Sequence, residues 1–244
     1  NAVIRKFTRR MDSTGGGSPG EPQPAAEFGF NTFVWNYRLP NATTIANLIM
    51  WGGSLAGPRI PPGNYSTRLT VDGKVVGTEP IVVKADLRLT TTQDDFAKQF
   101  DLMKKINAKL TETHTAINDL RDLRTQIEGL SRRLKPENKD LIDKAKDIAT
   151  KLTAVEEALH QTKIRSGQDA LNFPIRLNNK LAALSSFVDS ADYGPTASAY
   201  VVYTDLTTKI DAELAKYAAI KTQDVAEFNK QYAAKGLPII ISGR

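Results

Sequence analysis

Apolar residues follow two different periods along this chain, and the change falls near position 90. From Phe96 they recur at Phe100, Met103, Ile106, Leu110, Ile117, Leu120, Leu123, Ile127, Leu130 and Leu134. The mean step of about 3.5 residues is that of helices that coil around one another. Thr91 or Thr92 marks the start, because a hydroxyl there accepts from the first free amides and Asp94 and Asp95 fall at the positive end of the helix dipole. Gly129 is a mild weakness, and Pro136 ends this helix and opens the next. A second seam, Leu141, Ala145, Ile148, Leu152, Val155 and Leu159, alternates steps of four and three. So short a connection predicts an antiparallel hairpin, each seam buried mainly against the other. The pattern stops around Gly167, and Leu171-Asn-Phe-Pro174 is a break. Leu177, Leu181, Leu184 and Val188 then mark a shorter third helix. Tyr193-Gly-Pro-Thr196 turns into a fourth, carrying Val202, Leu206, Ile210, Leu214, Tyr217, Val225, Phe228 and Tyr232 and ending at Gly236-Leu-Pro238. The apolar tail Ile239–Ile241 is expected to pack on the bundle or on the sheet.

Before position 90 the pattern is that of strands and turns. Ala2–Arg10 places Val3, Ile4 and Phe7 in an extended run, and Ser13–Pro24 is too rich in Gly and Pro to hold regular structure. Phe33, Trp35 and Tyr37 alternate with Thr32, Val34 and Asn36, the period of a half-buried strand. Ile45–Trp51 reads as a short strand or helical turn ended by Gly52-Gly53. Tyr65, Thr67, Leu69 and Val71 share a strand face, Asp72-Gly73 supplies a tight hairpin turn, and Val75, Val76 and Ile81–Lys84 return. Short strands with such turns indicate a β-sandwich, which has about seven strands where about five are countable here. Ala2–Arg10 reads as the second half of a hairpin whose first half lies upstream, so Val3, Ile4 and Phe7 are expected on a sheet edge that a partner completes.

The residues Asn31-x-Phe33-x-Trp35-Asn-x-Arg38 and Pro61-Pro-Gly-Asn-Tyr65-x-x-Arg-Leu-Thr-Val-Asp-Gly73 resemble a small immunoglobulin-like module of the FlgD-like kind. Such modules follow β-propellers of BNR/Asp-box repeats in large secreted sialidase-like or sortilin-like bacterial proteins. Leu171-Asn-Phe-Pro-Ile-Arg-Leu-Asn-Asn-Lys-Leu181 with Gly194-Pro-Thr196 is similar to the helical region that follows in the same proteins. The resemblance implies an α+β chain of two domains. Residues 1–90 would form an incomplete immunoglobulin-like β-sandwich, and residues 91–244 an antiparallel bundle of about four helices. The aromatic strand and the Pro-Pro-Gly-x-Tyr strand would be packing and turn elements, and any glycosidase site would lie in an upstream propeller.

Composition narrows the classes further. The chain has 244 residues, no Cys and a net charge of +6. Without Cys there are no disulfides, thiolate zinc sites or Cys nucleophiles; the periplasm or the exterior is compatible with that, and the resemblance makes it the expected location. Residues 1–90 carry ten Lys or Arg against six Asp or Glu, so the positive excess is thinly spread. A nucleic-acid surface concentrates such charge, and here Arg5-Lys6 with Arg9-Arg10 is the single N-terminal cluster. The longest apolar runs, such as Ile45–Trp51, are too short to span a bilayer.

Few constellations suggest chemistry. His114 falls where the first helical seam expects an apolar residue. With a turn near Pro136 it lies opposite position 157, within a turn of His160 and near Glu112, Glu156 and Glu157. His and carboxylates so placed are able to hold a transition metal across two helices; the plainer reading is a polar layer that fixes helix register. The pairs Asp94-Asp95 and Glu156-Glu157 are formal candidates for glycoside hydrolysis, but a helix start and a solvated helix face explain them better. Neither a Gly-x-Ser-x-Gly elbow nor the Lys-Ser/Thr ending of a phosphate loop is present. Trp35, Tyr37, Trp51 and Tyr65 are expected in the core rather than on a carbohydrate-stacking surface. The expectation is therefore a non-catalytic, cofactor-free interaction region that docks to an upstream propeller, to missing strands or to other subunits, with no nucleic acid. The competing expectations are an accessory region of a sialidase-like glycoside hydrolase and a carbohydrate-binding module.

Overall fold

The computed structural model describes residues 2–9 and 22–236. The tail Ile239–Ile241 and most of the Gly- and Pro-rich stretch lie outside these residues. The chain is α+β, with a helical bundle and a two-stranded antiparallel sheet.

Helix α1 spans Gln93–Ser131. Thr92 is its N-cap: the hydroxyl accepts from the Asp95 amide at 3.1 Å while the Asp95 carboxylate accepts from the Thr92 amide at 3.0 Å. This reciprocal box satisfies amides that have no partner within the helix. The neighbouring Thr91 donates instead to the Asp192 carbonyl at 2.6 Å, tying the start of α1 to the turn before the last long helix. Helix α1 ends at Ser131, and a 3-10 turn at Pro136–Asn138 leads into α2, Lys139–Leu159. Arg121 meets Glu156 and Arg124 meets Thr153, so numbers fall on one helix as they rise on the other: the pair is antiparallel. The whole expected α2 seam is buried, from Leu141 to Leu159.

Helix α3, Leu177–Val188, and α4, Ala197–Ala219, complete the bundle; α4 runs through a π-helical turn at Ile220–Val225 into α5, Ala226–Ala234. The expected single seam on α1 proves wider. Leu102 and Thr113 are buried beside Met103 and His114, because α1 packs against α2, α3 and α4 and must cover more than one side. Ion pairs lace the rim: Lys109 to Asp211 at 2.7 Å, Lys151 to Asp224 at 3.1 Å and Lys235 to Asp140 at 3.2 Å.

Residues 38–60 form a strap over the bundle. Arg38 and Arg59 bridge, Leu39 donates to Pro58, Ala42 to Leu55 and Ile60 to Tyr37. Ala42 and Ile45 are buried in the same core as the helices. Gly53, at φ +81°, lies so close to α3 that a Cβ there would meet the Ala182 carbonyl carbon at 2.7 Å. The Ser54 amide donates to the Ala182 carbonyl at 3.2 Å. The strap is thus part of the first ninety residues by sequence and part of the helical core by contact.

Strands β1, Gly63–Val71, and β2, Lys74–Val83, form the expected hairpin. Asp72 and Gly73 both have positive φ, 48° and 78°, as a tight turn matched to strand twist requires. Leu69 faces Gly77 and Thr70 faces Val75, which leaves Val76 as the extra residue of a bulge. Among the described residues no third strand joins them, and a sandwich is not shown. Residues 2–9 and 29–38, expected as strands, form no ladder apart from the bridge at Arg38. Their alternation is suited to a sheet, but no neighbouring strand within the described chain offers the matching donors and acceptors.

Candidate functional site

Two places carry the chemistry: an apolar surface on the N-terminal region and a polar seam inside the bundle. On the first, Phe7, Phe33, Trp35 and Tyr37 form a string of rings. Centroids lie 4.7 Å apart for Phe7 and Phe33, and 5.5 Å apart for Trp35 and Tyr37. Arg5 sits 5.0 Å over the Phe7 ring, and the Trp35 indole donates to the Arg38 carbonyl at 2.9 Å. Of the three residues expected at a partner edge, Phe7 is half-buried in this string, while Val3 at 75% and Ile4 at 37% are exposed. Phe28, Phe30 and Val34 are exposed as well. The aromatic residues expected in a core divide: Trp35 and Tyr65 are half-buried, Tyr37 and Trp51 exposed. The ribbon is apolar and exposed as well: Leu69, Val71, Val75, Val76 and Val82 are all exposed.

The second place is built on His114, which is fully buried. Its Nδ1 lies 2.5 Å from the Thr43 carbonyl of the strap, and its Nε2 lies 3.1 Å from the Asn178 side-chain amide. The same amide nitrogen lies 3.3 Å from Nδ1 of His160. The Asn178 carbonyl oxygen accepts from the Asn179 amide at 2.7 Å, which turns the Asn178 NH2 group toward both imidazoles. An NH2 group donates, so both facing ring nitrogens must accept. His114 therefore carries its proton on Nδ1, donated to Thr43, and His160 carries its own on Nε2. Burial, together with the Arg121 charge, lowers the pKa of both rings, that of His160 to about 4, which keeps them neutral.

Below this pair Glu156 is buried, and both of its oxygens are taken: one by Arg121 Nε, the other by Arg124 Nη1, each at 2.6 Å. Arg121 also donates to the Ala46 carbonyl at 3.0 Å, and Asn118 to the Thr44 carbonyl at 3.0 Å. On α3, Asn179 exchanges hydrogen bonds with the Trp51 backbone in both directions. The seam thus fastens the carbonyls of the strap from Thr43 to Gly52 to two helices, α1 and α3.

The candidates His114, His160 and Glu156 are brought together, with an Asn amide between the two rings and two guanidiniums on the carboxylate. Among the described residues no group of three His, Cys, Asp or Glu side chains is placed to hold a metal ion. Glu157 is exposed, Asp94 pairs with Lys98 at 2.5 Å and Asp95 caps α1. Sequence reasoning missed Asn178, Arg121 and Arg124. A signal existed: Arg121 is two turns beyond His114 on the same side of α1, with Arg124 one turn further. No described helix is long and apolar enough to cross a membrane. No protein-family model matches the chain, and neither a curated protein nor a solved structure matches it.

Proposed function

We propose that this chain is a non-catalytic interaction piece, in which the helical bundle and its strap present a β-ribbon and an aromatic arm to another polypeptide. The observation that carries the reading is the ribbon, which is exposed on both faces over most of its length yet is rich in apolar residues. An isolated two-stranded hairpin is marginal in water, and added strands or a packing face are what stabilise it. Each strand keeps one outer edge without a ladder partner among the described residues. The occupant is a β-rich segment of the same protein upstream of Asn1, whose strands complete an immunoglobulin-like sheet by edge addition. On this reading the chain belongs to a secreted or periplasmic propeller protein, or is a processed subunit of one.

Photo-crosslinking residues placed at Leu69 and Val82, in the protein as its native host makes it, test the reading. Crosslinks to a single β-rich segment, within the same chain or on the subunit processed from it, are expected, with none from a control position at Lys230 on α5. Ribbon positions that label only with solvent would overturn it.

A further inference from the structure

We propose that the cleft where α1, α2 and the strap meet binds a small oxyanion, a carboxylate or a phosphate, through Arg121, Arg124, Arg165 and His160. The cleft has a volume of about 390 Å3, and Ala46 and Asn47 of the strap form part of its wall. Its charged lining is three guanidiniums against Glu156 and Glu157. Glu156 is buried with both oxygens engaged, so it neutralises about one of its two Arg partners and presents no free acceptor to an incoming ligand.

The guanidiniums are only partly satisfied by the protein. Arg121 is engaged through Nε and Nη1, and Arg124 through Nη1 with Glu156 and Thr153. Arg165 donates through Nη1 to the Thr162 and Ile164 carbonyls. The Nη2 groups of all three take no protein acceptor among the described residues. Arg121 and Arg124 are about three-quarters buried, with side-chain exposures of 26% and 23%, and the Glu156 carboxylate holds both in place. Guanidinium groups fixed in this manner suit planar carboxylates and phosphates, because their fork matches two acceptor oxygens at once. His160 adds a donor, since its Nδ1 faces Asn178 and its proton is on Nε2. A site rich in fixed donors with one exposed carboxylate at its edge selects an anion over a cation.

Calorimetric titration with inorganic phosphate and, separately, with succinate tests the proposal, with backbone amide shifts to locate the ligand. Saturable binding is expected, with shifts confined to the strap near Asn47, to Arg121–Arg124 and to 153–165. Arg165→Gln, at an exposed position, should weaken binding about tenfold, the loss of one charge-assisted hydrogen bond. Glu157→Gln should tighten it by removing a like charge, and Lys209→Gln, remote on α4, should leave it unchanged. A preference for phosphate or for succinate upholds the site and names its ligand class. Shifts that never saturate and spread over the basic surface, or equal weakening by Arg165→Gln and Lys209→Gln, would show an adventitious ion only and overturn it.

Discussion

The helical bundle and the N-terminal region answer the same requirement, burial of apolar surface, in opposite ways. Ile106, Ile117, Leu120, Ile127, Leu141, Ile148 and Leu152 of the bundle are all at or below 1% exposure. Leu69, Val71, Val75, Val76 and Val82 of the ribbon are all close to or above half exposed. A helix satisfies its own backbone and needs a neighbour only for its side chains. A strand needs a neighbour for both. The core of the bundle is therefore covered within the described chain, even though Phe187, Val201 and Val202 remain exposed on its surface, whereas the ribbon has side chains and backbone groups still to cover. Between them the strap shows that position along the chain does not decide which behaviour wins. Residues 42–54 precede the ribbon yet pack on the helices, with Ala42 and Ile45 buried in their core, because α1 and α3 offer an apolar groove and a row of polar side chains.

The comparison is tested most severely in the core. Leu152→Ala or Ile117→Ala should lower stability by about 2–5 kcal/mol, since a cavity in a closed core relaxes only partly. Urea denaturation followed by circular dichroism measures this, and a loss below 1 kcal/mol would mean that the bundle is not packed as described. Next comes the polar seam. Glu156→Gln leaves two partly buried guanidiniums with a neutral partner and should cost about 3 kcal/mol, the scale for breaking a buried pair from one side. The strap is the third level. A Cβ on Gly53 would clash with the Ala182 backbone at a positive φ, so Gly53→Ala should cost about 1–3 kcal/mol. Hydrogen exchange should show faster exchange at Ala42 and Ser54 with little change in α2.

Acid probes the same seam. His160 is neutral in the folded chain with its pKa lowered to about 4, while an unfolded His titrates near 6.5. Between these values the unfolded state binds the extra proton, so stability should fall as pH drops from about 6.5 towards 4 and then flatten for this group. His114 is shifted in the same direction. Protonation of the folded His160 ring, which sets in only near pH 4, would put a second donor opposite the Asn178 NH2 group and should loosen the strap there. His160→Gln should flatten the pH profile, and an unchanged slope would assign it to other groups. The smallest effect belongs to the ribbon: Val82→Ala or Val75→Ala should change the stability of the isolated chain by no more than about 0.5 kcal/mol. A larger loss would show that the ribbon is already covered and would remove the contrast between the two regions.

Much of the bundle was legible in the residues. The α2 seam from Leu141 to Leu159, the Thr92 cap and the Asp72-Gly73 turn depend on interactions within a few positions, which periodicity and turn chemistry report directly. Leu102 was not legible, because it answers to a further helix on α1 and not to the spacing of its own seam. The strands expected at Ala2–Arg10 and Gly29–Arg38 illustrate the reverse case. Alternation records which side chains suit a sheet, but a ladder exists only where another strand arrives. At the candidate seam, His114 stood out as a polar residue in an apolar row and its approach to His160 followed from the hairpin. Asn178 between them did not, since α3 enters from a separate stretch of chain.

The amino-acid order by itself determined where helices start and stop, that α1 and α2 fold back on each other, and where the ribbon turns, because these follow from contacts a few residues apart or from a short connection. Only the tertiary structure decided that the strap joins the helical core and that an Asn amide from α3 sets the tautomers of two histidines. It also decided that three guanidiniums share one cleft. Those features arise where segments as distant as Thr43, His114 and Asn178 come within hydrogen-bonding reach, and no local pattern encodes which distant donor will meet which acceptor.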